Sequence, residues 1–214
     1  MTITEKAERI YSRLEHNADA IIHVAGVLFA INAGLWLLFH VTGLSAVVSV
    51  SIYCAGLFAM LSASAAYNLA PQGRAREILR RFDHAAIFIM IAATYTPFAA
   101  NRLGQPAGDM ILAAIWLCAT VGVILKMIYP RRFERTSVVF YIAMGWIIVA
   151  VIKPLAAHVA TADFWLLIGG GLVYCAGVAF YLTERIPFHK AIWHCFVLAA
   201  AVLQFAAVAG EFTA

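Results

Sequence analysis

The stretch AIIHVAGVLFAINAGLWLLFHV, residues 20–41, carries no Asp, Glu, Lys or Arg. As an α-helix rising about 1.5 Å per residue it reaches roughly 33 Å, enough to cross the ~30 Å hydrocarbon of a bilayer. Outward from it the same texture recurs between charged or Pro/Gly-marked breaks, at 46–68, 84–100, 110–129, 136–157, 164–182 and 189–209. The third run is the shortest, and Pro97 lies near its end, where neighbouring helices can satisfy freed backbone groups. Bulk composition agrees, because 64% hydrophobic and 12% charged residues with a mean hydropathy of +0.88 lie outside the range of a water-soluble domain. Seven crossings use roughly 140 of the 214 residues and leave only tails and short loops. The expectation is an all-α integral membrane protein, a bundle of seven transmembrane helices. Residues 1–19 form an amphipathic N-terminal segment, 20–209 one membrane domain and 210–214 a short outer tail.

Orientation follows from Lys and Arg in the alternating flanks. Lys6, Arg9 and Arg13, then Arg74, Arg76, Arg80 and Arg81, then Lys126, Arg131, Arg132 and Arg135, then Arg185 and Lys190 account for 13 of the 15 basic residues. The other side has Arg102 and Lys153. The N-terminus and loops 2, 4 and 6 are therefore expected in the cytoplasm and Ala214 outside, in a multi-pass protein of a bacterial inner (plasma) membrane. Before the first span, Ala7, Ile10, Tyr11 and Leu14 recur at three- to four-residue spacing, as in an interfacial helix. The charges among the first 20 residues contradict a signal peptide's apolar core, so no cleavage is expected. Cys54, Cys118, Cys175 and Cys195 sit in apolar runs without CxxC spacing and read as packing residues. The net charge of +4 is spread over loops without aromatic interleaving, which argues for anionic lipid rather than nucleic acid as partner.

Polar side chains inside spans are costly and so are functional candidates. Ser64 and Asn68, at i and i+4, end span two and point the same way. Asp83 and His84 open span three. Lys190 and His194 repeat the i, i+4 spacing at the start of span seven, with His189 about 140° around the helix from His194. All fall in the cytoplasmic leaflet, so helices two, three and seven are expected to gather them into one cluster. Each has a plainer reading: Ser64 as a small helix-contact residue, Asp83 as a charge facing a helix N-terminus, Lys190 as a snorkelling cation. His194, a turn and a half into its span, resists such a reading. His23, His40 and His158 read as interfacial or packing residues.

At these residues the sequence resembles the hemolysin III family, the bacterial branch of the progestin and adipoQ receptor superfamily, which includes the adiponectin receptors and is related to alkaline ceramidases. The resemblance rests on Ser64-Ala-Ala-Tyr67-Asn68, Asp83-His84-Ala-Ala-Ile87-Phe88 and Thr94-Tyr95-Thr96-Pro97-Phe98. It continues through Tyr141-Ile-Ala-Met-Gly145-Trp146, Gly169-Gly-Gly171 with Tyr174, and Ile192-Trp193-His194. It implies a zinc ion held by three histidines, one after the tyrosine of span two and an i, i+4 pair in span seven. The serine and aspartate, here Ser64 and Asp83, would stand around its water as the catalytic candidates. Zinc lowers the pKa of bound water toward about 7, which would suit hydrolysis of a lipid amide.

The sequence departs from that pattern at two of three ligands, with Asn68 and Lys190 in place of histidines and only His194 matching. Gln204 also stands where many relatives carry a histidine. His84 or His189 would have to complete a metal site by rearrangement. A further expectation is that Lys190 replaces the metal as a permanent cation and pairs with Asp83. Three functions remain open: a lipid amide hydrolase whose zinc chemistry is weakened or lost, a non-enzymatic sensor or regulator of membrane state, and a cytolysin-like pore or transporter.

Overall fold

The computed structural model describes residues 12–132, 134–183 and 185–213, with Arg135 described through its backbone alone. Of the N-terminal amphipathic pattern only Leu14 falls within this range. The described residues contain helices and no strand: α1 (Arg13–His40), α2 (Leu44–Leu69), α3 (Arg74–Asn101), α4 (Ala107–Ile128), α5 (Glu134–Gly145), α6 (Ile152–His158), α7 (Thr161–Leu182) and α8 (His189–Thr213). A 3-10 segment, Trp146–Val151, joins α5 to α6, and the three pieces form one span, so seven helices are long and apolar enough to cross a membrane.

Several boundaries differ from those read in the sequence. Helix α1 starts seven residues before the apolar run, at a capping box: Ser12 Oγ accepts from Glu15 N–H (3.2 Å) and Glu15 Oε2 accepts from Ser12 N–H (2.8 Å). Two backbone donors are thereby satisfied and the helix can begin in polar sequence. Helix α3 starts at Arg74, directly after Gly73 with its φ of 149°. Asp83 is thus nine residues inside a helix, too far in to face its N-terminal dipole, which is confined to the first turn. Helix α8 continues through Thr213, so nearly all of the expected tail is helical.

The fifth span is continuous in sequence but broken in structure. Pro154 has no N–H for the carbonyl of Ala150 and its ring crowds that carbonyl. Tyr95 of α3 attends the break: its hydroxyl lies 2.7 Å from the Gly145 carbonyl and 3.1 Å from that of Met144, and accepts from Ile148 N–H at 2.8 Å.

The helices close a ring. Helix α1 lies between α2 and α8, α2 packs on α3, α3 on α4, α7 on α8, and α5 sits sparsely against α3, α4 and α7. Helix α3 is the most enclosed span. Lipid tails are as apolar as Leu, so close approach through small residues holds such helices together. A Cβ on Gly56 would lie 2.6 Å from Ala93 Cβ, and one on Gly177 would lie 2.7 Å from Phe196 Cβ, which binds α2 to α3 and α7 to α8. At one end the arginines of α3 latch the α4–α5 connection: Arg80 pairs with Glu134, Arg131 with Glu77 (2.7 Å), and Arg81 donates to the Met127 carbonyl (3.2 Å). At the other end Glu211 of α8 pairs with Arg102 of α3 and accepts from Ala160 N–H (2.9 Å).

Candidate functional site

Inside the ring lies a cavity of about 2190 Å³, well beyond the roughly 300–1,000 Å³ typical of drug-sized ligands. Its lining changes character along its length. Near the α2–α3 and α7–α8 connections it is polar, with Ser64, Asn68, Asp83, His84, Lys190 and His194; farther along α3 it is walled by Met90, Phe98 and Leu103 with Leu155 and Leu167. Fifteen residues of α3 separate Asp83 from Phe98, a length of about 22 Å. All seven residues singled out in the sequence, His189 included, line this space.

Their contacts define what each can do. Asn68 Nδ2 donates to the Ser64 carbonyl (3.0 Å) and reaches Ser64 Oγ (3.4 Å), so its amide is turned back onto its own helix. Asp83 Oδ2 lies 3.4 Å from His84 Nδ1, which also lies 2.9 Å from the Arg80 carbonyl. Tyr141 donates to the His84 carbonyl (2.8 Å) and brings α5 against the site. His189 is buried. Gln204 packs over Gly170, where a Cβ would meet its Cγ at 2.8 Å. The hydroxyl of Tyr174, on the cavity wall, has no hydrogen-bond partner among the described residues.

His40 and His158 are exposed and, among the described residues, bond only to their own helices. Their Nδ1 atoms lie 2.7 and 2.8 Å from the carbonyls of Trp36 and Pro154, one turn back. His23 differs, and its reading as interfacial or packing is corrected here. His23 is buried and joins Asp19 and His194 in a cluster across α1 and α8. Asp19 Oδ1 is 2.6 Å from His194 Nδ1, Asp19 Oδ2 is 3.6 Å from His23 Nε2, and the two imidazole centroids are 4.3 Å apart. One turn earlier, Glu15 Oε1 accepts from Phe188 N–H (2.8 Å), where the backbone has a left-handed φ of 59°. The seam between the first and last helices is therefore polar for two turns.

These features define a class: a multi-pass membrane protein of seven helices around a deep cavity, polar at one end and mainly apolar along the rest, with Thr94, Tyr95, Tyr174 and Gln204 set into that wall. The Haemolysin-III related family model matches residues 12–205, and the chain belongs to that family. It is 37% identical to Hemolysin-3 of Bacillus cereus over 207 residues, covering 95% of this chain and 94% of that protein. It is 35% identical to the Hemolysin-3 homolog of Bacillus subtilis (strain 168) over 194 residues, covering 89% and 91% respectively. A more distant relative is the human Monocyte to macrophage differentiation factor, 31% identical over 165 residues, covering 73% of this chain and 67% of the human protein.

The zinc ion that the family resemblance implies does not fit the residues at its three expected positions. There the chain offers the side-chain amide of Asn68, whose nitrogen is bonded to Ser64 and whose neutral oxygen is a weak zinc ligand, the ammonium of Lys190 and the single imidazole of His194. An ammonium donates hydrogen bonds and has no lone pair to give a metal.

Proposed function

We propose that this protein binds an amphiphilic lipid, with the headgroup among Ser64, Asn68, Asp83, Lys190 and His194 and the acyl portion along the apolar wall. The observation that carries this reading is the two-part lining of one large cavity. A small metabolite would leave most of 2190 Å³ unfilled, and an ion has no use for the apolar wall that Met90, Phe98, Leu103, Leu155 and Leu167 form. Val139 of α5 and Leu182 of α7 line the cavity and are more than half exposed, so the cavity is open beside these two helices, which supports entry from the bilayer. The hydroxyl of Tyr174 gives the ligand a buried polar partner. The polar end lies in the cytoplasmic leaflet of a bacterial inner membrane, as the distribution of basic residues argues.

The reading is a relative of the lipid amide hydrolases in which recognition outlasts the zinc chemistry expected at Asn68, Lys190 and His194. Ser64 and Asp83 then act as headgroup contacts, and Lys190 is the cation facing Asp83. A second reading, membrane lysis through a pore, is favoured by the name Hemolysin-3 of the Bacillus relatives.

The deciding variant is Gly171→Phe. Gly171 lines the cavity and a Cβ there meets nothing within 4 Å, so the ring fills ligand space without a backbone clash. Lipid extracted from the purified wild type should exceed that from the variant several-fold at equal helix content. Equal lipid would sink the reading, and dye release from liposomes by the wild type, retained in the variant, would favour the pore.

A further inference from the structure

We propose that Asp19, His23 and His194 form a site for a divalent first-row transition-metal ion between α1 and α8. It shares His194 with the family-type position but takes Asp19 and His23 of α1 in place of Asn68 and Lys190, and it stands whether or not the cavity takes a lipid. The three side chains present one carboxylate oxygen and two imidazole nitrogens within 4.8 Å of one another. Two histidines and a carboxylate are the donor set of open zinc and non-haem iron sites, in which a further position stays free for water or substrate.

Distances suit that use. Ligands of a tetrahedral zinc ion lie about 3.3 Å apart given its bond lengths; the three donor atoms lie within 4.8 Å of one another, and binding would replace the direct 2.6 Å contact of Asp19 Oδ1 with His194 Nδ1 and the 3.6 Å approach of Asp19 Oδ2 to His23 Nε2. Register brings two ligands onto one face, because Asp19 and His23 are at i and i+4 of α1.

An independent observation is the state of His23. It is 5% exposed, and its Nε2, the atom aimed at Asp19, has no hydrogen-bond partner among the described residues. Buried imidazole nitrogens are normally satisfied. The cluster also holds a carboxylate in largely buried surroundings, a placement that a bound cation balances. Because His23 and His194 line the large cavity while Asp19 lines a small pocket beside it, the metal would sit in the cavity wall.

The competing account makes Asp19 an outer partner that merely orients His194. It leaves His23 as a second, longer partner of Asp19 at 3.6 Å, and the two accounts separate by experiment. The full-length, detergent-purified protein is analysed for Mn, Fe, Co, Ni, Cu and Zn, then stripped with chelator and titrated with Zn²⁺ alone. The wild type should bind one ion per chain. Asp19→Asn and His23→Gln should each weaken binding by more than the roughly 10–100-fold that loss of an outer-shell partner costs, while Asn68→Ala leaves it unchanged. In Co²⁺-loaded protein, His23→Cys should add a thiolate-to-cobalt charge-transfer band, a readout independent of stability. The proposal is overturned if the wild type binds no Zn²⁺, if His23→Gln binds as tightly as wild type, or if His23→Cys adds no such band.

Discussion

At the scale of single residues, what the sequence conveyed depended on spacing within one helix. Ser64 with Asn68 and Lys190 with His194 are i, i+4 pairs, and their placement on one cavity wall could be anticipated from helical period alone. Asp19 and His23 have the same spacing, so half of the α1–α8 cluster was equally legible. Asp19 follows a run of tail charges and His23 lies at the edge of an apolar span, so neither stands out from its surroundings. The other half, the contact with His194, spans 175 positions of chain, and helical period says nothing about which helices adjoin. Lys190 carries the prediction at this scale. If it faces Asp83 as the site's cation, a double-mutant cycle of Lys190→Met and Asp83→Asn, read by thermal unfolding in detergent, should give a coupling energy of about 1 kcal/mol or more. Additive effects would show that the two charges are independent.

Elements were legible as apolar runs, and their ends and interruptions were not. A run of lipid-compatible residues ends where charges begin, yet a helix continues as long as its backbone is satisfied. Helix α3 accordingly carries Arg74 to Asp83 as ordinary helical residues, and α1 begins at the Ser12–Glu15 capping box. The arginines of α3 also do more than add positive charge to a connecting loop, since Arg80 and Arg81 hold the α4–α5 connection. The break in the fifth span follows from Pro154, but its repair comes from Tyr95, a residue of another helix. Tyr95, Gly145 and Ile148 line the cavity, so the hydroxyl holds backbone groups that would otherwise depend on water or a ligand there. Tyr95→Phe should therefore leave the groups around Gly145 and Ile148 unsatisfied and cost about 1–3 kcal/mol, seen as a lower melting temperature. Hydrogen exchange should quicken at residues 145–151 and stay unchanged in α2. An unaltered exchange rate there would mean that the 3-10 segment satisfies its own backbone.

For the whole molecule, the number of spans was fixed by hydropathy, whereas the ring and its cavity arise from pairings between distant helices. Orientation rests on a different kind of argument. In the folded protein Arg80 and Arg131 are neutralised by Glu134 and Glu77, so the finished surface displays fewer positive charges than the sequence counts. Topology is decided during insertion, before those pairs exist, and acidic residues contribute little to it. The excess of 13 basic residues over 2 therefore keeps its force. A periplasm-dependent reporter fused after Ala214 should be active, and the same reporter fused ahead of Met1 inactive. The outcome also bears on the site, because the helix ends flanked by Arg76 and Arg185 carry the polar half of the cavity. If the fusions read the other way round, Ser64, Asp83 and His194 would face the outer leaflet, and a cytoplasmic-leaflet lipid could no longer be the ligand.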